Sequence, residues 1–196
     1  SLCFFATRIH PEHQREIYNF TIELCKDFAP EQSDERRSAI LYQTICYSDT
    51  DKHDSAVNLI ETFRKSDTRE DALSETMTRL WAHLAIAGHT KVDGPRAALE
   101  KKLDASTAVF NRPQCVLYLA RIYRFLELME NEKTLLKGEL KHEDIRNDNA
   151  MLTVLSNRYR EITQDKTVNA SLAAATKQWL AKHGPQWLEF ALPHGL

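Results

Sequence analysis

The chain has 196 residues, 42% of them apolar, with 26 Lys and Arg against 28 Asp and Glu, a net charge of −2. That is material for a sizeable core, and so balanced a charge gives no electrostatic drive toward nucleic acid or an anionic membrane surface. Five glycines stand where average usage gives about 14, and the absence of GxGxxG and GxxxxGKS/T runs argues against glycine-loop nucleotide folds.

Residues 1–9 (SLCFFATRI) are apolar but too short for a signal peptide, and they lack its flanks. The chain does not begin with Met, as expected of a fragment, a processed form or a trimmed product. Pro11 can open a first helix over 12–28, with Ile17, Phe20, Thr21, Leu24 and Phe28 as its apolar stripe and Pro30 as its end. Ala56, Leu59, Ile60 and Phe63 mark another helix. The cleanest stripe is Met77, Leu80, Trp81, Leu84 and Gly88, for which Thr68 with Asp71 offers an N-cap signal. Pro95 and Pro113 stand as first-turn prolines. Cys115 to Met129 is apolar on nearly every face, so it predicts a central helix covered on more than one side. Leu152, Leu155, Tyr159 and Ile162 define the next stripe. Leu172, Ala175, Trp179 and Leu180 define the last, closed by Gly184-Pro185. No segment alternates with period two, so no strand is expected. No apolar run approaches the roughly 20 residues of a membrane span.

Cys3, Cys25, Cys46 and Cys115 form no CxxC pair, and the last three sit among apolar residues. They read as buried thiols, which places the chain in a reducing compartment such as the cytoplasm. The sequons at Asn19 and Asn169 fall in or beside expected helices and are discounted. The basic pairs Arg36-Arg37 and Lys101-Lys102 lie among acids and read as solvated helix faces.

The helices pair, and the pairs recur over Ile40–Phe63, Trp81–Leu103, Tyr118–Leu140 and Leu155–Gln178. Polar breaks at Ser48–Lys52, His89–Asp93, Glu130–Glu132 and Thr163–Thr167 divide each pair. The leading residues are 41, 37 and 37 positions apart, a period that signals stacked helical hairpins. Trp81, Leu84, Ala85 and Ala97 stand at the large–apolar–small spacing of the tetratricopeptide repeats, and the chain resembles that family over about residues 36–183. Ile40, Thr44, Tyr47, Ala56, Ile60 and Phe63 give the first unit's share. Tyr118, Phe125 and Thr134 give the third's, and Leu155, Tyr159, Ser171 and Ala175 the fourth's. HEAT-type and Sel1-like hairpin arrays fit the same period. The resemblance implies an all-α fold of about 8–10 helices, antiparallel hairpins stacked as a short right-handed α-solenoid. It forms one domain over 1–196, with a cap at 1–35, four hairpins at 36–183 and a tail at 184–196.

The search for chemistry is largely negative. His10 and His13 are one helical turn apart with Glu12 between them, and Glu139 and His142 have the Glu-x-x-His spacing of di-iron bundles. Neither set has its further ligands, so no metal and no cofactor is expected. No nucleophile elbow or His-Glu-x-x-His motif is present, and the chain is read as a non-enzyme. The resemblance implies a concave face, lined by the first helix of each hairpin, that holds a peptide or helix of another protein. The positions carried over are Arg79, Ala82, Ile86 and His89, then Leu119, Tyr123 and Leu126, then Ser156 and Arg160. Arg79, Ile86, His89, Leu119, Tyr123, Leu126 and Arg160 are the partner-binding candidates. The alternative is that Leu119 and Tyr123 are core residues. Two other functions fit the same sequence, a subunit or fragment of a larger helical scaffold and an all-α enzyme or ligand sensor.

Overall fold

The structure, a computed structural model, describes residues 11–26, 33–104 and 111–163. Every element among them is helical. The chain falls into two compact units, residues 1–111 and residues 112–196.

In the first unit a 3-10 turn over Pro11–His13 leads into α1 (Gln14–Lys26). It is followed by α2 (Asp34–Asp49), α3 (His53–Ser66), α4 (Ala72–Ile86) and α5 (Asp93–Asp104). Each helix packs on the next, and α4 packs on both α2 and α3. Ser33 starts α2 by accepting from the Arg36 N–H at 3.0 Å. Asp71, rather than Thr68, caps α4, accepting from the Ser74 N–H at 2.9 Å. The core gathers Ala56, Val57, Ile60 and Phe63 of α3 with Met77 and Leu84 of α4, flanked by Ile40, Leu41 and Tyr47 of α2.

α1 buries a different face from the expected one. Tyr18, Thr21, Ile22 and Cys25 face inward, while Phe20 and Leu24 are 68% and 55% exposed. The helix carries two adjacent apolar stripes, and α2 can cover only one of them. Tyr18 and Ile22 meet Cys46, and the Gln43 amide donates to the Ile22 carbonyl at 3.2 Å.

In the second unit α6 (Arg112–Phe125) and α7 (Met129–Glu139) form a hairpin. The short α8 (Glu143–Asn147) leads to α9 (Asn149–Thr163), which packs on both α6 and α7. α6 buries Cys115, Val116, Leu119, Ala120, Ile122 and Tyr123 under α7, α8 and α9, as its all-round apolar sequence predicts. The break in this hairpin is at Leu126–Leu128, not Glu130–Glu132. Glu130 and Glu132 belong to α7, and Glu132 is fully buried. Cys25, Cys46 and Cys115 are buried, as expected.

Three hairpin tips among the described residues share one backbone device. After α2, α4 and α6 the chain passes through a left-handed residue: Asp51 (φ 61°), Gly88 (φ 87°) and Glu127 (φ 57°), spaced by 37 and 39 residues. The next N–H then reaches back five residues: Lys52 to the Tyr47 carbonyl at 2.9 Å, His89 to Leu84 at 2.9 Å and Leu128 to Tyr123 at 2.8 Å. This is the Schellman arrangement, which satisfies carbonyls left open at a helix end.

The open ends are clasped by long-range charge pairs. Arg37 near the start of α2 holds Asp67 just beyond α3, Glu70 just before α4 meets Lys102 in α5, and Arg112 at the start of α6 holds Glu139 at the end of α7. The partners are 30, 32 and 27 residues apart. Arg37 and Lys102 are therefore not solvated helix faces, since their side chains are only 7% and 11% exposed.

Among the described residues no helix is long and apolar enough to cross a membrane. The second helix expected in the fourth hairpin, the break beyond Thr163, the Gly184-Pro185 stop and the tail lie outside the described residues. So do Cys3, His10, Phe28, Pro30 and the sequon at Asn169.

Candidate functional site

The partner-binding candidates divide between the two units. In the first, α4 carries Arg79, Ala82 and Ile86, and its tip carries His89. Ala82 is fully buried and faces the interior. Ile86, the last residue of α4, is half-buried. Arg79 is also half-buried. It donates through Nη2 to the Thr76 hydroxyl at 2.8 Å, while its Nε is buried without a hydrogen-bond partner. His89 is exposed, and its ring stacks on that of His53, with centroids 3.5 Å apart and planes 18° from parallel. His53 opens α3, so the stack joins two neighbouring hairpin tips. Sequence reasoning missed His53, because only the shared turn geometry brings position 53 beside position 89.

In the second unit Leu119 and Tyr123 are 2% and 8% exposed. They belong to the interior of α6, which leaves them no surface to offer a partner. Ser156 is buried on α9. Leu126 is half-buried at the tip after α6. Arg160 is exposed on α9 and donates to Asn157 Oδ1 at 3.1 Å. Beside Leu126, Phe125 and Met129 are 50% and 55% exposed, an apolar tip where the sequence predicts a buried helix.

The strongest electrostatic features lie off these positions. The Arg37 guanidinium donates to Asp71 at 2.6 and 3.1 Å and also binds Asp67. Asp67 takes the Arg69 N–H at 2.9 Å, and Arg69 reaches Asp34 at 2.7 Å. The Arg37 hydrogen bonds hold the Asp71 carboxyl at about 2, against burial and with help from the Ser74 N–H. Burial pushes Asp67 up, but the Arg69 amide and the two guanidinium groups outweigh it, so its carboxyl also lies below the ordinary value. In the second unit Glu132 accepts from Arg158 Nε and Nη2, both at 2.8 Å, and from Arg124 at 3.4 Å. Its hydrogen bonds raise the Arg158 guanidinium. These groups are saturated by one another, as structural ion pairs are.

Arg64 on α3 is different. It lies over the Trp81 ring, 4.8 Å from the centroid, and donates to the Thr78 hydroxyl at 3.1 Å. No carboxylate among the described residues lies within ion-pair distance of it. Trp81 is in turn wedged against Gly94, where an added Cβ would lie 2.4 Å from the indole. Gly94, not the exposed Ala97, is the small residue that lets the α4–α5 hairpin close.

The two histidine–acid spacings do not assemble ligand sets. His13 Nδ1 lies 3.2 Å from Glu16, and His10 is outside the described residues. Glu139 is held by Arg112 at 2.7 Å, while His142 caps α8 by accepting from the Asp144 N–H at 3.3 Å. Among the described residues no group of three His, Cys, Asp or Glu side chains could hold a metal ion.

Among the described residues the fold is all-α, with packing between neighbouring helices in each unit. Compared with family models, curated proteins and solved structures, the chain matches none.

Proposed function

We propose that this chain is a tetratricopeptide-like array of helical hairpins that binds a peptide or helix of another protein. The observation that carries the reading is the repeated packing rule. In the first unit α4 touches both helices of the α2–α3 hairpin, and in the second unit α9, which follows the short α8, touches both helices of the α6–α7 hairpin. The left-handed hairpin tips at near-constant spacing support the same reading, since a hairpin that cannot bury its faces alone must stack on a neighbour. The candidates that keep exposed area in this reading are Arg79, Ile86 and His89 in the first unit and, separately, Leu126 and Arg160 in the second.

Site-specific photo-crosslinking tests it. A crosslinker at Ile86 or Leu126 should capture a discrete partner from a lysate, and the same group at the exposed Ala97 should not. Equal capture at all three positions, or none, refutes the assignment of the surface. One observation favours a second reading, a subunit of a larger helical scaffold. Phe20 and Leu24 lie one turn apart on α1 and leave an exposed apolar stripe of the kind a neighbouring helix covers.

A further inference from the structure

Three of the arginines that are buried or half-buried among the described residues share an arrangement that Arg64 lacks. Arg37, Arg112 and Arg158 each grip a carboxylate through two nitrogens, and each guanidinium is raised above its ordinary value, chiefly by those hydrogen bonds. Arg64 is half-buried and has no such partner among the described residues. Burial lowers its guanidinium, and the attraction of Glu70 offsets this only in part. Glu70 itself is engaged by Lys102. A cation that loses water without gaining a counter-ion is a net loss for folding alone.

The group is nonetheless fixed in place. The Thr78 hydroxyl holds Nη1, and the face of Trp81 supports the guanidinium plane. Trp81 is itself immobilised by Gly94 on one side and by the α3–α4 core on the other. A planar fork held this way has its ordering cost met before any ligand arrives, and its remaining N–H groups match the two oxygens of a carboxylate. Arginine and tryptophan are also the residue types that dominate interface hot spots.

We propose that Arg64, seated between the Thr78 hydroxyl and the Trp81 indole, is the receptor for an acidic side chain of the bound partner. The proposal rests on the protein-binding reading above and names the partner's chemistry, a segment bearing Asp or Glu. It moves the specificity contact from the first helix of a hairpin to α3, the second helix of the preceding one.

The test uses the whole chain, labelled with 15N and titrated with an acetylated tetraglutamate amide at constant ionic strength. A tetralysine amide and inorganic phosphate form the parallel arms. The Arg64 Nε–H and Trp81 indole N–H resonances should shift saturably with tetraglutamate and stay still with tetralysine. Arg64→Gln should weaken tetraglutamate binding at least tenfold. Thermal melting supplies the second readout. Arg64→Met should leave the melting temperature unchanged or raise it, because it removes an uncompensated cation. Unmoved resonances, or a shift with phosphate alone, would overturn the carboxylate assignment. So would a large loss of melting temperature in Arg64→Met, which makes the residue a structural strut. If crosslinking at Ile86 persists in Arg64→Gln while this titration fails, the partner-binding reading stands and the Arg64 receptor falls.

Discussion

Replacing Arg158 with Met should be among the most damaging single changes in the second unit. Glu132 is fully buried, and both its oxygens sit 2.8 Å from Arg158, the near-ideal geometry of a bidentate charge-assisted pair. The methionine side chain would fill the volume of the arginine stem and supply no charge. The only remaining cation among the described residues at Glu132 would be Arg124, half-exposed and 3.4 Å away. Breaking a buried pair in this way costs about 3–5 kcal/mol, and Arg124 draws the expectation toward the lower end, about 3 kcal/mol. For a chain of this size that is a fall of roughly 6–12 °C in melting temperature. The asymmetry is the informative part. Glu132→Leu should cost only about 1 kcal/mol, because Arg158 keeps Glu161 at 3.1 Å and some access to water. The double variant Glu132→Leu/Arg158→Met should return to within about 1 kcal/mol of the parent, since an apolar pair of similar volume replaces the ion pair without a stranded charge. Urea unfolding followed by circular dichroism gives the totals, and amide exchange in α7 and α9 localises the loss. A single Arg158→Met cost under about 1 kcal/mol, or strictly additive losses in the double variant, refutes the reasoning.

Three further outcomes follow from the hairpin ends. Glu127→Gly should stabilise the chain by about 0.5–1 kcal/mol in urea unfolding, because a side chain now occupies a left-handed turn position that glycine adopts freely, whereas Gly88→Ala should destabilise it by about 1–2 kcal/mol. Gly94→Ala should cost about 1–3 kcal/mol despite alanine's better helix propensity, and it should perturb the Trp81 indole resonance, because the new methyl would collide with that ring. Asp71 sets an acid limb. Its carboxyl is depressed to about 2 by Arg37, so its contribution is complete above the ordinary carboxylate value and disappears as pH falls from about 4 to 2. With a third of the side chain exposed to screening water, that contribution is about 1–2 kcal/mol. Asp71→Asn, which keeps a capping side chain, should flatten this part of the urea-midpoint-versus-pH curve, and an unchanged slope would remove Asp71 from the account.

The parts of the fold that were legible in the sequence are those written in local periodicity. Ala56, Ile60 and Phe63, then Met77 and Leu84, fall inside as their spacing requires, and α6 is covered on several sides as its apolar run requires. Local periodicity fails where a helix has more apolar surface than its neighbours can cover. On α1 two stripes compete, and the choice of Tyr18 and Ile22 over Phe20 and Leu24 is made by Gln43 and Cys46, more than 20 residues away. It fails again where charge is paired at long range. Glu130-Asn131-Glu132 resembles a polar turn until Arg158 is known to stand across from it, and Arg36-Arg37 resembles a solvated face until Asp67 and Asp71 close around the second arginine. Of the candidate residues, Arg160 and His89 are exposed, while Leu119 and Tyr123 are core, a distinction that residue type alone does not make.

The hairpin joints recur as geometry more than as residues, and this explains why they are faint in sequence. Each tip needs one left-handed residue, and this chain uses Asp51, Gly88 and Glu127 for it, so a search for glycine finds one tip in three. Aspartate tolerates the conformation better than glutamate, yet all three tips close with the same five-residue backward hydrogen bond. The clasps behave alike: Arg–Asp, Glu–Lys and Arg–Glu exchange charge sign and side-chain length while joining the start of one helix to the end of the next. Where backbone geometry fixes the joint, the residues at it are free to differ. Arg64 stands outside both devices. It closes no tip and clasps no hairpin, and where Arg37, Arg112 and Arg158 are each matched to a carboxylate, Arg64 among the described residues is held by a hydroxyl and an indole face instead.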